Sequence, residues 1–144
     1  MSTALAAALL VVPAWLAMPV RAQTSDATGL INTRDFSHAN GAQVYATICQ
    51  GCHMPAGQGA RGAGEYPALA ANPKLAAAPY VEMMVLLGNG AMPGFKGQLS
   101  DRQVAEVTTY VRTHFGNQYD APVTHDEVKA LRTSLGGSTA ASDD

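Results

Sequence analysis

The chain has 144 residues, a net charge of −2 at pH 7, and 47% hydrophobic but only 6% aromatic residues. That length holds one ordinary domain and excludes two. The charge balance offers no basic surface for nucleic acid.

Residues 1–20 carry no charge, and 4–17 form an apolar run rich in Ala, Leu and Val. Val20-Arg21-Ala22 then reads as a small-x-Ala cleavage site, which predicts a secretory signal over residues 1–22 and a mature chain starting at Gln23. In a bacterial setting the expected location is the periplasm. No Lys or Arg precedes the apolar run, so the alternative is an uncleaved membrane anchor, and contact with a membrane is expected only in that case. Pro13 and Pro19 speak against it. Residues 23–36 are polar and without periodicity, and are expected to form a flexible arm.

The pattern predicts a first helix over residues 37–50, with Ser37 as its N-cap. Val44 and Ile48 give it an apolar face, while Gly41 and Tyr45 put a glycine notch beside it. Gly41 costs about 1 kcal/mol relative to Ala inside a helix, a cost tolerated where a second helix must come close.

The helix ends in Cys49-Gln50-Gly51-Cys52-His53, which contains both cysteines of the chain. At this spacing two thiols can add to the vinyl groups of a haem, leaving the next imidazole as an axial iron ligand. A redox dithiol would need a βαβ pattern around it, and none is present. A structural zinc site would need about four ligands, and His38, His114 and His125 are not paired at finger-like spacing. A haem would also supply the flat apolar surface that so few aromatic residues cannot, so the haem-free chain is expected to fold poorly.

Residues 54–71 are rich in glycine (Gly57, Gly59, Gly62, Gly64) with Pro55 and Pro67, and read as irregular backbone able to pass close to a ring edge. Asn72-Pro73 opens a short helical piece to about residue 77. Pro79 opens a second helix to Leu87, with Gly88 as its stop. Val81, Met84, Val85, Leu86 and Leu87 supply its apolar face, and Met83 and Met84 are read as packing residues.

Gly88-Asn89-Gly90-Ala91-Met92-Pro93-Gly94-Phe95 follows as a tight loop. Pro93 restricts the backbone of Met92. A thioether here, far in sequence from His53, suits a sixth iron ligand; the alternative is a Met that fills a core gap. Ser100 and Gln103 then form a capping box for a helix that should stop near Gly116, with Val104, Val107 and Val111 on one face and Tyr110 alongside. Residues 117–123 turn the chain. Thr124 and Glu127 box a last helix over 124–135, with Val128, Leu131 and Leu135 inward. Residues 136–144 are small, polar and acidic, and are expected to be disordered.

Together the haem motif after a helix bearing Gly41 and Tyr45, the Asn89-Gly90-Ala91-Met92-Pro93 loop, and the final core helix with Tyr110 resemble a single-haem class I c-type cytochrome over residues 37–116. The resemblance implies an all-α, cytochrome c-like fold in which the first and last core helices cross, Gly41 and Tyr45 meeting Tyr110, with the helix of 124–135 as an extension. It implies one covalent haem c, with Cys49 and Cys52 as thioether links, His53 as proximal ligand and Met92 as distal ligand. It implies Pro67 as the residue whose carbonyl accepts a hydrogen bond from the proximal imidazole. The stretch from Leu86 to Arg132 is similar to the cytochrome subunits of periplasmic alcohol and aldehyde dehydrogenases. That similarity implies an electron carrier, not an enzyme in its own right, which takes electrons from a dehydrogenase and passes them to a terminal oxidase or another cytochrome. Around the haem edge, Gln50, Arg61, Lys74, Lys96 and Arg102, with Met54, Ala91 and Phe95, are the expected docking residues. The rival is a haem enzyme or a gas or peroxide sensor whose sixth iron site is open, and Met92 discriminates between the two.

Overall fold

The structure, a computed structural model, describes residues 36–62 and 64–136. The expected signal over 1–22, the arm except for Phe36, and the tail beyond Gly136 lie outside the described residues. A 3-10 turn (Phe36–His38) leads to α1 (Gly41–Val44), a π-helical turn (Tyr45–Cys49) and α2 (Gln50–His53), which run on as one helical rod. A hairpin of β1 (Ala60–Arg61) and β2 (Glu65–Tyr66), a 3-10 turn (Pro73–Ala76), α3 (Ala78–Leu87), α4 (Asp101–Thr113) and α5 (His125–Ser134) follow.

The first helix starts later than the sequence suggests. Its cap is Asn40, not Ser37. The Asn40 side chain accepts from Gln43 N at 3.0 Å, and Gln43 Oε1 accepts from Asn40 N at 2.9 Å, a complete capping box. Residues 36–38 are held outside the helix by α4, since Gln103 Nε2 donates to Phe36 O at 2.6 Å. The glycine-rich stretch is irregular as expected, but it contains the short antiparallel pair Ala60↔Tyr66 and Arg61↔Glu65. Two residues per strand are too few to show an alternating pattern. The Ser100–Gln103 and Thr124–Glu127 boxes cap α4 and α5 as predicted. Helix α3 begins one residue earlier than expected, at Ala78, and ends at Gly88 with φ of 74°.

Helix α1 crosses α4 at Gly41. A Cβ at Gly41 would lie 2.2 Å from Glu106 O and 2.8 Å from Tyr110 Cβ, so only glycine lets the two backbones meet. Tyr45 follows one turn later, with its ring centroid 5.6 Å from that of Tyr110 and 4.8 Å from that of Phe115. Val44, Val104 and Val107 on these two helices are enclosed, as is Val128 on α5. Each contributes about 1.5–3 kcal/mol by leaving water.

Helix α4 also packs against α3 and α5. The polar residues enclosed there were not legible as core. Arg112 is buried and donates to Leu75 O at 3.0 Å and Ala76 O at 3.3 Å, tying the 3-10 turn to α4. Glu82 is buried on α3. Burial, and then the negative charge of Glu127, raise its pKa above the ordinary carboxylate value, with Arg112 opposing. Glu82 therefore holds its proton in the fold at pH values where the unfolded chain has already lost it. Folding there takes up a proton, so this contribution to stability is complete below the unfolded pKa of about 4.3 and is lost as pH rises through the elevated folded value. Replacing Glu82 by Gln should flatten that decline. Melting temperatures of wild type and Glu82→Gln from about pH 4 to pH 8 check it; parallel curves would exclude the effect.

Candidate haem-binding site

The rod from Gly41 to His53 ends in the Cys-x-x-Cys-His motif. Cys49 and Cys52 are three apart and His53 is four from Cys49, so all three lie on adjacent turns of one helical surface. The π-helical turn ends at Cys49 and is closed by Gln50 N on Tyr45 O. Such turns insert an extra residue into a helix and frequently accompany functional sites. Cys49 and Cys52 are free thiols; Cys49 is half-buried and Cys52 exposed. Burial, with Cys52 nearby, pushes the Cys49 thiol up to about 12. Among the described residues no three His, Cys, Asp or Glu side chains converge as a metal cage.

His53 is buried, and its Nδ1 lies 2.9 Å from Pro67 O. A carbonyl can only accept, so Nδ1 carries the proton and Nε2 keeps its lone pair. Among the described residues Nε2 has no protein partner. That is the arrangement by which proteins orient a ligating imidazole and raise its basicity.

The Pro67 carbonyl is held in place by the glycine loop. Gly59 N donates to His53 O at 3.1 Å. A Cβ on Gly59 would lie 2.3 Å from Tyr66 O and 2.8 Å from the Pro67 carbonyl carbon, and its φ is 67°. Gly57 O accepts from both Leu69 N and Ala70 N. The glycines thus allow close approach of backbone to backbone. Tyr45 completes the turn: its hydroxyl donates to Met54 O at 2.6 Å, and burial pushes its pKa up to about 12, so it stays a donor. From the far side the buried Asn117 side chain donates to Leu69 O and accepts from Asn72 N, both at 2.9 Å. Sequence reasoning placed Asn117 in a plain turn. Only its position directly after Gly116 hinted at a structural task.

Met92 sits in a loop hung from the end of α3. Asn89 N and Met92 O, and Met92 N and Asn89 O, pair at 3.0 Å each. A Cβ on Gly88 would lie 2.3 Å from Met92 O, and one on Gly94 would lie 2.7 Å from Leu87 O. Met92 is half-buried and packs against the same core as Ile48, Cys49 and Leu69.

The donor set therefore fits a haem. It offers an imidazole oriented by the Pro67 carbonyl, two free thiols on the same helical rod and a thioether in a braced loop, with Cys52, Tyr66 and Pro67 exposed. Of the expected docking residues, Lys74 and Arg61 are exposed, with Arg61 paired to Glu65 at 3.4 Å. Lys96 and Arg102 are half-buried and bond to the backbone: Lys96 Nζ donates to Leu135 O at 3.1 Å, and Arg102 to Ser37 O at 2.5 Å. His38, His114 and His125 are exposed.

Comparison with known proteins agrees with this fit. Residues 37–111 match the family described as cytochrome C oxidase, cbb3-type, subunit III. The chain is 32% identical over 120 residues to the cytochrome c subunit of alcohol dehydrogenase (quinone) from Gluconobacter oxydans, covering 74% of this chain and 24% of that protein. It is 32% identical over 106 residues to the gluconate 2-dehydrogenase cytochrome c subunit of Pantoea cypripedii, covering 64% and 24%. It is 41% identical over 75 residues to cytochrome c6 of Leptolyngbya boryana, covering 51% of this chain and 87% of that protein. The chain thus spans about a quarter of the length of the dehydrogenase subunits, but most of the small carrier. A helical fold with crossing α1 and α4, a buried imidazole oriented by a carbonyl, and a family match over the same residues lead to one conclusion: the chain belongs to the c-type cytochromes, electron-transfer proteins that carry haem c.

Proposed function

We propose that the protein is a periplasmic carrier that takes single electrons from a dehydrogenase and passes them to a terminal oxidase or another cytochrome. In this reading Cys49 and Cys52 form the thioether links, and His53 and Met92 are the axial ligands. When bound, the haem iron supplies one-electron cycling between ferric and ferrous states. His53 orients its imidazole through the Pro67 carbonyl, and this 2.9 Å contact is the observation that carries the reading. As a ligand, the soft thioether of Met92 would favour the ferrous state and raise the potential. With His53 and Met92 both holding the iron, no substrate would need to reach it, and the chain would contribute orientation and exclusion of water. Relatives named as subunits of alcohol, gluconate and fructose dehydrogenases support a dehydrogenase donor. The uncharged run of residues 1–20 and the site at Val20-Arg21-Ala22 support export, with a retained anchor as the alternative.

Haem staining on a denaturing gel tests the attachment. The protein from a periplasmic fraction should stain, and replacing both Cys49 and Cys52 by Ser should abolish the stain. Mixing the stained protein with a quinone-dependent alcohol dehydrogenase and its alcohol should reduce it within the mixing experiment. Staining without reduction by any of the three dehydrogenase classes would remove the donor assignment and leave the attachment standing.

A further inference from the structure

Helix α5 lies beyond the family match of residues 37–111, and nothing in the proposed chemistry calls on it. Yet its Arg132 is 1% exposed. A guanidinium buried so deeply is costly unless its donors are met. Here Nε donates to Asp101 Oδ1 at 2.6 Å, Nη1 to Lys96 O, and Nη2 to Leu99 O at 3.0 Å. Two of these three acceptors are backbone carbonyls of residues 96–99, the segment by which the chain leaves Met92-Pro93. Lys96 Nζ returns a bond to the end of α5, at Leu135 O. On the other side Phe95 N donates to Val85 O at 2.9 Å and Lys96 N to Leu86 O at 3.1 Å. The exit of the methionine loop is therefore strapped between α3 and α5.

We propose that Arg132 is a positioning residue for Met92: by clamping the carbonyls of Lys96 and Leu99, α5 keeps the loop closed and the thioether seated. The proposal rests on the reading of Met92 as iron ligand. A loop released on its exit side populates open conformers more often. An external ligand binds only to the open fraction, so its rate reports that population.

The test compares haem-loaded ferric wild type, Arg132→Leu, Arg132→Lys, Val128→Ala and Met92→Ala. Val128 is fully buried on the same helix within the hydrophobic core, so its truncation loosens α5 without removing the clamp. Each protein is measured at the same interval below its own melting midpoint. The readouts are cyanide association and hydrogen exchange at the Phe95, Lys96 and Leu99 amides. Arg132→Leu should bind cyanide roughly tenfold faster or more, with faster exchange at those amides. Val128→Ala should stay within about twofold of wild type. Arg132→Lys should fall between, because an ammonium cannot reproduce the guanidinium fork; it carries the comparison if Arg132→Leu does not fold. Equal cyanide rates in the Arg132 variants and Val128→Ala overturn the proposal while leaving Met92 as ligand. Wild type binding cyanide as fast as Met92→Ala overturns the ligand reading itself, and the proposal with it.

Discussion

Replacing Met92 by Ala should lower the reduction potential by on the order of 0.2 V, within the roughly 0.8 V range that axial ligands span. The thioether is a soft donor that stabilises ferrous iron, and its removal takes that preference away. The same variant should lose the weak far-red absorption band of Met-ligated ferric haem and bind cyanide rapidly. The fold should survive the change. Met92 is half-buried, and the loop is held by the paired backbone bonds to Asn89 and by Gly88 and Gly94 rather than by the side chain. A potential and spectrum unchanged in Met92→Ala would mean that Met92 only fills a gap in the core.

Replacing Asp101 by Ala should destabilise the haem-loaded protein by about 3–5 kcal/mol, the effect of stranding one member of a buried ion pair. Asp101 and Arg132 meet at 2.6 Å with side chains 10% and 1% exposed, so little water can take over the missing partner. The substitution also removes the carboxylate from the first turn of α4, where it favours the helix dipole. Asp101→Asn should cost less, because the amide oxygen can still accept from Arg132 Nε. Denaturant unfolding of the three proteins measures this. A loss below about 1 kcal/mol, the value of an exposed pair, would show that the pair is solvated.

The parts of the site that follow from local pattern are legible in the sequence itself. The pentapeptide at Cys49–His53, the boxes at Ser100 and Thr124, and the stop at Gly88 depend on neighbours a few residues away, so composition and spacing suffice. The Gly41 notch was legible because glycine in an apolar helix face needs a reason, and the contact with Glu106 O supplies it. The start of the first helix is ambiguous in the sequence because Ser37 and Asn40 both suit a cap, and Gln43 decides for Asn40. The buried polar residues were not legible at all. Arg112, Arg132 and Asn117 are satisfied mainly by backbone carbonyls distant in the chain. A carbonyl carries no residue type, so no spacing announces such a partner, and charged residues default to the surface. For the same reason the last helix read as an optional extension, whereas Arg132 makes it part of the framework around the methionine loop. Pro67 came from resemblance, because a proline carbonyl in a glycine-rich loop has no pattern of its own.

In the proposed function His53 and Met92 would both hold the haem iron. Proton magnetic resonance of the reduced, haem-loaded protein tests it most directly. A methionine methyl held over the porphyrin is shifted far upfield by the ring current. One such resonance should be present in wild type and absent from Met92→Leu. A reduced spectrum with no upfield methionine methyl would contradict the account, and would leave the sixth position open to the chemistry of an enzyme or a sensor.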